Sequence, residues 1–287
     1  MAGPVIHAEY DDIDWNEIWK ARQDRYDAAR IAGDTSHDWD RKENADRYAA
    51  QSAGEFEKRI RMTLDGLSLS RTTRVLDIGA GPGTLAIPLA AKVREVTAVE
   101  PGSGMIAALR ERAGKEGIKN ITCIQKIWED VDAGRDLAGP YDLVIASLSL
   151  TMHDIREAVQ KMDAVSCGEV CLYWFVDLPF WERMYADLVM PLHGRPYYSG
   201  PKADCLWNVL YQAGIYANVE MLPLDKEYRF PSRGEMTEFF KRRFGVTAQA
   251  QEQVLDAYLS RLIRTDGEDV VITGESTFAK IWWKKRN

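Results

Sequence analysis

Hydrophobic positions in the middle of the chain fall into short apolar runs separated by amphipathic stretches. Residues 74–78, 96–99, 121–124, 141–146 and 170–176 are runs rich in Val, Ile and Leu, as expected of strands buried on both faces. Between them, residues 85–93, 103–115 and 154–165 carry apolar side chains at helical spacing. Pro88 falls near the first turn of its segment, where a missing N–H is tolerated. Strands alternating with helices predict an α/β chain with a parallel sheet covered on both sides.

The flanks read differently. Over residues 1–70, Ile13, Ile18 and Trp19 share one helical face, and Phe56, Ile60 and Leu64 recur at i, i+4 and i+8, with a break at Gly33–Ser36. This predicts an N-terminal helical extension over 1–70 and a main domain over 71–287. Past the fifth run, the Pro- and aromatic-rich residues 178–202 read as an insertion. A helix over 203–213 stopped by Gly214, a sixth strand over 217–222, a second, mostly helical insertion over about 230–266 and a last strand over 277–283 complete the expected elements.

Asp77-Ile78-Gly79-Ala80-Gly81-Pro82-Gly83-Thr84 lies between a predicted strand and a predicted helix. Glycines there permit positive φ and close approach of a ligand to the backbone. Glu100 ends the next strand, 23 residues after Asp77, where an acid can receive ribose hydroxyls. The spacing Gly79-x-Gly81-x-Gly83 with Thr84 departs from the G-x-G-x-x-G run that fits a pyrophosphate. Asp77 would repel a pyrophosphate but suits a ligand carrying an ammonium group.

Composition narrows the partners. The 287 residues include 37 basic and 44 acidic ones, a net charge of −7, which argues against duplex nucleic acid as the main partner. No run approaches the ~18 apolar residues of a membrane span, and the acidic start over 1–14 lacks the pattern of a secretory signal. Cys123, Cys167, Cys171 and Cys205 are scattered in apolar stretches, so buried free thiols in a cytoplasmic protein are expected, with no metal site.

Four segments in order resemble the motifs of class I S-adenosylmethionine-dependent methyltransferases: Val75 to Gly83, Ala98 to Met105, Asn120 to Asp130, and Pro140 to Ser147. The resemblance covers residues 72–176 and implies a Rossmann-like, doubly wound, seven-stranded, mostly parallel sheet with an antiparallel last strand. It also implies S-adenosylmethionine as methyl donor, with S-adenosylhomocysteine as product. Carried over by position, Asp77, Gly79, Ala80, Gly81, Pro82 and Gly83 would line the methionine end, and Glu100 would hold the ribose. Pro101, Met105, Ile127, Trp128 and Glu129 would surround the adenine, and Ser147 would lie beneath the methyl group. Met105 and Trp128 have core packing as an equally simple reading. Trp39, Asp40 and Tyr48 resemble residues that precede the first motif and close over the donor in relatives, with Tyr48 toward the methionine carboxylate or in helix packing.

Methyl transfer from a sulfonium needs alignment and exclusion of water more than a catalytic triad. Ser147-Leu148-Ser149-Leu150 lacks the Asn/Asp-Pro-Pro-aromatic sequence that grips amide or adenine amino groups in some relatives. His153 is a candidate base or acceptor contact; the plainer reading is a loop residue beside Asp154, which caps a helix. His193, Tyr197 and Tyr198 in the aromatic insertion are candidate acceptor contacts, or a surface turn with apolar anchors. Lys241-Arg242-Arg243 reads as a solvated helix face. The expected acceptor is a small or medium organic molecule, with a protein side chain or a tetrapyrrole-like compound as alternatives. A nicotinamide-dependent oxidoreductase and a non-catalytic donor-binding module are the competing classes.

Overall fold

The computed structural model describes residues 12–29, 38–51, 53–223 and 225–285. The break predicted at Gly33–Ser36, the start over 1–11 and the side chain of Phe56 lie outside what is described. The main sheet contains β1 (Arg74–Ile78), β2 (Glu95–Val99), β3 (Ile121–Ile124), β4 (Tyr141–Ser147), β5 (Ser166–Phe175), β6 (Asn218–Pro223) and β10 (Thr277–Lys284). Their order is β3-β2-β1-β4-β5-β10-β6. The first five pair in parallel, and β10 runs antiparallel to both β5 and β6. The central strands bury nearly every residue because helices cover both faces.

On one face lie α1 (Trp15–Ala28), α6 (Ile155–Val165) and α8 (Ala203–Gln212). Asp14 caps α1 by accepting from the N–H groups of Asn16 and Glu17. The buried Trp19 indole donates to Met152 O at 2.9 Å, which anchors α1 to the loop after β4. On the opposite face lie α3 (Ala53–Asp65), α4 (Ala86–Ala90) and α5 (Ser103–Lys115), with Ile60, Leu64, Leu89 and Leu109 in one apolar cluster. α4 is shorter than the predicted 85–93 segment, and Pro88 sits within its single turn. α2 (Lys42–Gln51) packs on α5.

A separate apolar cluster is built by α7 (Phe180–His193), α9 (Arg233–Arg243), α10 (Gln249–Leu259) and a three-stranded antiparallel sheet. That sheet is β7 (Lys226–Phe230), β9 (Asp269–Gly274) and β8 (Arg264–Asp266), in the order β7-β9-β8. β7 and β9 lie outside the elements predicted above, and β8 falls at the very end of the mostly helical 230–266 segment. β7 and β8 are short and charged; Tyr228, Phe230 and Ile272 hold the sheet against Met236 and Phe240 of α9. Among the described residues no helix is long and apolar enough to cross a membrane. Cys171 and Cys205 are buried, but Cys167 is exposed, which corrects the expectation of a buried thiol there.

Candidate functional site

β1 has β2 on one side and β4 on the other, so the connections after β1 and β4 leave in opposite directions. This topological switch opens a crevice at the carboxyl ends of the strands. Register brings Ile78 level with Val99 and Ala146, so Asp77, Glu100 and Ser147 converge on that end.

The turn after β1 is shaped by three glycines with positive φ: Gly79 at 72°, Gly81 at 55° and Gly83 at 81°. They are left-handed for different reasons. A Cβ on Gly79 would stand 2.3 Å from Ser149 Cβ, so the loop after β4 lies directly on it, whereas a Cβ on Gly81 would meet nothing within 4 Å. Gly81 therefore faces open space, the cradle a ligand needs. The opposing loop is itself bent. Leu148 adopts φ 57°, a conformation costing about 1–3 kcal/mol for a side-chain-bearing residue. The bend lets Ser149 Oγ donate to Ile78 O at 2.7 Å.

Two buried carboxylates define the electrostatics. Glu100 is 6% exposed; its Oε2 accepts the N–H of Gly81 and its Oε1 that of Gly102, both at 2.9 Å. Burial raises its pKa, the Gly102 and Gly81 N–H groups oppose the rise, and the charge of Asp40 adds to it. Asp77 is 2% exposed, and its Oδ2 has no hydrogen-bond partner. Burial, reinforced by Glu100, pushes it up to about 7, against the pull of Arg59. Thr84 Oγ1 is a second buried polar atom without a partner. Such atoms are costly unless a ligand or water meets them. The crevice thus suits a cationic ligand that carries hydroxyl groups and no phosphate, and its residues fit a nucleoside sulfonium with an amino-acid tail.

The segment 38–51 packs on the loop after β2 and the start of α5. Asp40 Oδ1 accepts from the N–H and the hydroxyl of Ser103, each at 2.9 Å, and Trp39 O accepts the Met105 N–H at 3.2 Å. The contact is close because Gly102 and Gly104 lack side chains: a Cβ would stand 2.8 Å from Trp39 Cβ and 2.7 Å from the Arg41 carbonyl carbon. Trp39 and Tyr48 meet edge to face, ring centroids 5.5 Å apart. Met105 packs with Ala45 and Ala108 between α2 and α5.

The structure distributes the other expected site residues as follows. Pro101 and Ile127 are exposed at the ends of β2 and β3, with Glu129 beside them. Trp128 is buried, its indole donating to Ala158 O at 3.2 Å. Ala80 and Pro82 belong to the glycine turn and are buried. Ser147 accepts from Arg59 at 2.6 Å. His153 is exposed and meets Asp24 of α1 at 3.0 Å, while Asp154 caps α6 through the Glu157 N–H. His193 meets Phe244 O at 2.8 Å, tying α7 to the end of α9. Tyr197 donates to Glu182 Oε1 at 2.6 Å, and Lys202 pairs with Glu182 Oε2 at 2.7 Å; burial and the Glu182 charge raise the Tyr197 pKa. Tyr198 is exposed. Arg59 and Ser149 shape the site but were not among the expected residues; Asp40 was expected beside Trp39. The one available signal was that Arg59 adjoins Ile60 on the buried stripe of α3.

Residues 75–167 match the family model described as a methyltransferase domain. An uncharacterized protein of Haemophilus influenzae is 27% identical over 246 residues, covering 85% of this chain and 88% of that one. The 23S rRNA (uracil(1939)-C(5))-methyltransferase RlmD of Aeromonas hydrophila is 28% identical over 128 residues, 40% of this chain but only 28% of that enzyme's length. A solved structure from Bacillus halodurans superimposes with a TM-score of 0.56 at 15% identity, over 79% of this chain and 99% of that one.

Proposed function

The chain carries a methyltransferase domain with the class I, Rossmann-like fold, and from that premise we propose that it is an S-adenosylmethionine-dependent methyltransferase acting on a small or medium organic acceptor. The observation that carries the reading is the convergence of two buried carboxylates, Asp77 and Glu100, on a glycine turn whose Gly81 faces open space. Glu100, held by two backbone N–H groups, receives the ribose hydroxyls on its remaining lone pairs. Asp77, with one oxygen unpartnered, takes the donor's ammonium. Gly79 to Gly83 let the methionine end lie against the backbone. Pro101, Ile127 and Glu129 flank the adenine; Met105 and Trp128 support that wall from within, being committed to packing. Trp39 and Tyr48 roof the pocket.

Bound there, the donor supplies an activated methyl group. The chain's own contribution is to orient it, exclude water and present an acceptor in line. The ends of β4 and β5 line the approach: Ser147 from β4, and Phe175, which meets Trp181 edge to face at 5.4 Å. Such aromatic walls favour a flat or apolar organic acceptor. His153, exposed and engaged by Asp24, has no part in this chemistry.

Titration calorimetry with S-adenosylhomocysteine and with NAD, on the same preparation, tests the reading. Saturable binding of the thioether without binding of the dinucleotide is expected. Tight NAD binding with none of S-adenosylhomocysteine would establish the oxidoreductase alternative instead.

A further inference from the structure

The seven-stranded sheet has two edges of unlike character. β3 closes one end of the strand order and β6 the other. β3 is four residues long, its apolar side chains are half-buried, and Lys119 and Lys126 bracket it. Short length and nearby lysines protect an edge against further pairing. β6 has little of either. Its six residues, Asn-Val-Glu-Met-Leu-Pro, carry one charge, Glu220, and the proline comes last. Among the described residues it pairs with β10 alone, so its outer backbone groups form a template for another strand.

The side chains at that edge are apolar and exposed. Val219 is 42% exposed and Met221 57%. Both lie on the face covered by α8: Val219 stands opposite Ile281 and Met221 opposite Ala279, and Ile281 and Ala279 belong to the apolar cluster that includes α8. Tyr211 and Tyr216 expose further large rings near the start of β6, where the Trp207 indole donates to Ala217 O at 3.4 Å.

The strand's own sequence selects the occupant. Antiparallel pairing about a two-fold axis sets each residue of one copy against a fixed residue of the other. With the axis at Glu220, two carboxylates would stand opposite each other, a destabilising pair. With the axis at Val219, that residue meets its own counterpart, Met221 meets Ala217, and the Glu220 carboxylate meets the Asn218 amide. Asn218 donates one N–H to Trp282 O at 3.2 Å, which leaves its second N–H for the carboxylate. The register also keeps the apolar residues on one face and the polar ones on the other. We propose that the β6 edge is a homodimer interface, in which two copies pair antiparallel about Val219 and join their sheets into one.

Sedimentation velocity on the full chain tests this. A monomer–dimer equilibrium at micromolar concentrations is expected. Val219→Lys combined with Met221→Lys, both at exposed positions, should weaken it by at least about tenfold, with unchanged thermal melting showing that the fold survives. Thr122→Lys on β3 should leave it unaltered. The register is read by cross-linking in a Cys167→Ser background, which removes the exposed native thiol. Val219→Cys should give a disulfide-linked dimer on mild oxidation, because the Cβ atoms of directly opposite residues lie ~4.5–5.5 Å apart, whereas Glu220→Cys should not. The cysteine variants decide the matter alone should the lysine pair fail to fold. A wild-type protein that remains monomeric, a dimer that the lysine pair leaves intact, or cross-linking at position 220 and not at 219 overturns the proposal.

Discussion

Glu100→Gln is the perturbation whose consequence the structure defines most closely. The carboxylate accepts the Gly81 N–H through one oxygen and the Gly102 N–H through the other, both at 2.9 Å, and it is buried. An amide of the same shape keeps one acceptor and turns an NH₂ group toward the other N–H, so two donors face each other. The free protein loses one charge-assisted hydrogen bond, worth about 1.5–3 kcal/mol, and regains some of it because a neutral amide is cheaper to bury. In the complex, one of the two ribose hydroxyls also loses its charged acceptor, another ~1.5–3 kcal/mol, which corresponds to a Kd increased about 10- to 150-fold. Titration calorimetry with S-adenosylhomocysteine reads the second quantity and thermal denaturation the first. A Kd within about threefold of wild type, in a variant whose melting is also unchanged, would refute the assignment of Glu100 to the ribose.

Other perturbations have equally definite outcomes. Gly79→Ala and Gly81→Ala both place a side chain at positive φ, but only the former strikes protein, 2.3 Å from Ser149 Cβ. Gly79→Ala should therefore cost about 2–5 kcal/mol in chemical denaturation, while Gly81→Ala should stay folded and lose S-adenosylhomocysteine affinity. Asp77 is held protonated up to about 7 in the free protein, so binding an ammonium beside it requires the proton to leave. S-Adenosylhomocysteine affinity should fall as pH drops through about 7, by up to about tenfold per pH unit, and Asp77→Asn should flatten the profile. The Glu182–Lys202 pair is largely buried, so Glu182→Ala should destabilise by about 3–5 kcal/mol and Glu182→Leu with Lys202→Met by much less, as read from urea melts. His153→Ala should leave S-adenosylhomocysteine affinity unchanged; a large loss would place that ring in the site after all.

What could be read from the sequence follows from how local each feature is. The strand–turn–helix around Gly79, Gly81 and Gly83 announces itself within a dozen residues, and Glu100 ends the very next strand. The final strand shows because β10 carries large apolar side chains such as Phe278 and Trp283. The β7-β9-β8 sheet was illegible because β8 is fully exposed and β7 is mostly charged; its order comes from packing on α9, a tertiary effect that overrides propensity. Arg59 lies 88 residues from Ser147 in sequence, and nothing in α3 itself states which strand end it reaches. The aromatic insertion shows a related limit. His193, Tyr197 and Lys202 have the residue types of a substrate site, yet each side chain is engaged in joining elements, a distinction only the contacts reveal.

The central claim is that the crevice at the ends of β1 and β4 holds a cationic, phosphate-free nucleoside thioether derivative. A crystal structure of the protein grown with S-adenosylhomocysteine tests it directly. The account predicts the ribose hydroxyls on Glu100, the amino group at Asp77 and the methionine end along Gly79 to Gly83. Density for the nucleoside elsewhere, or a Glu100 turned away from it in a fully occupied complex, would contradict the account.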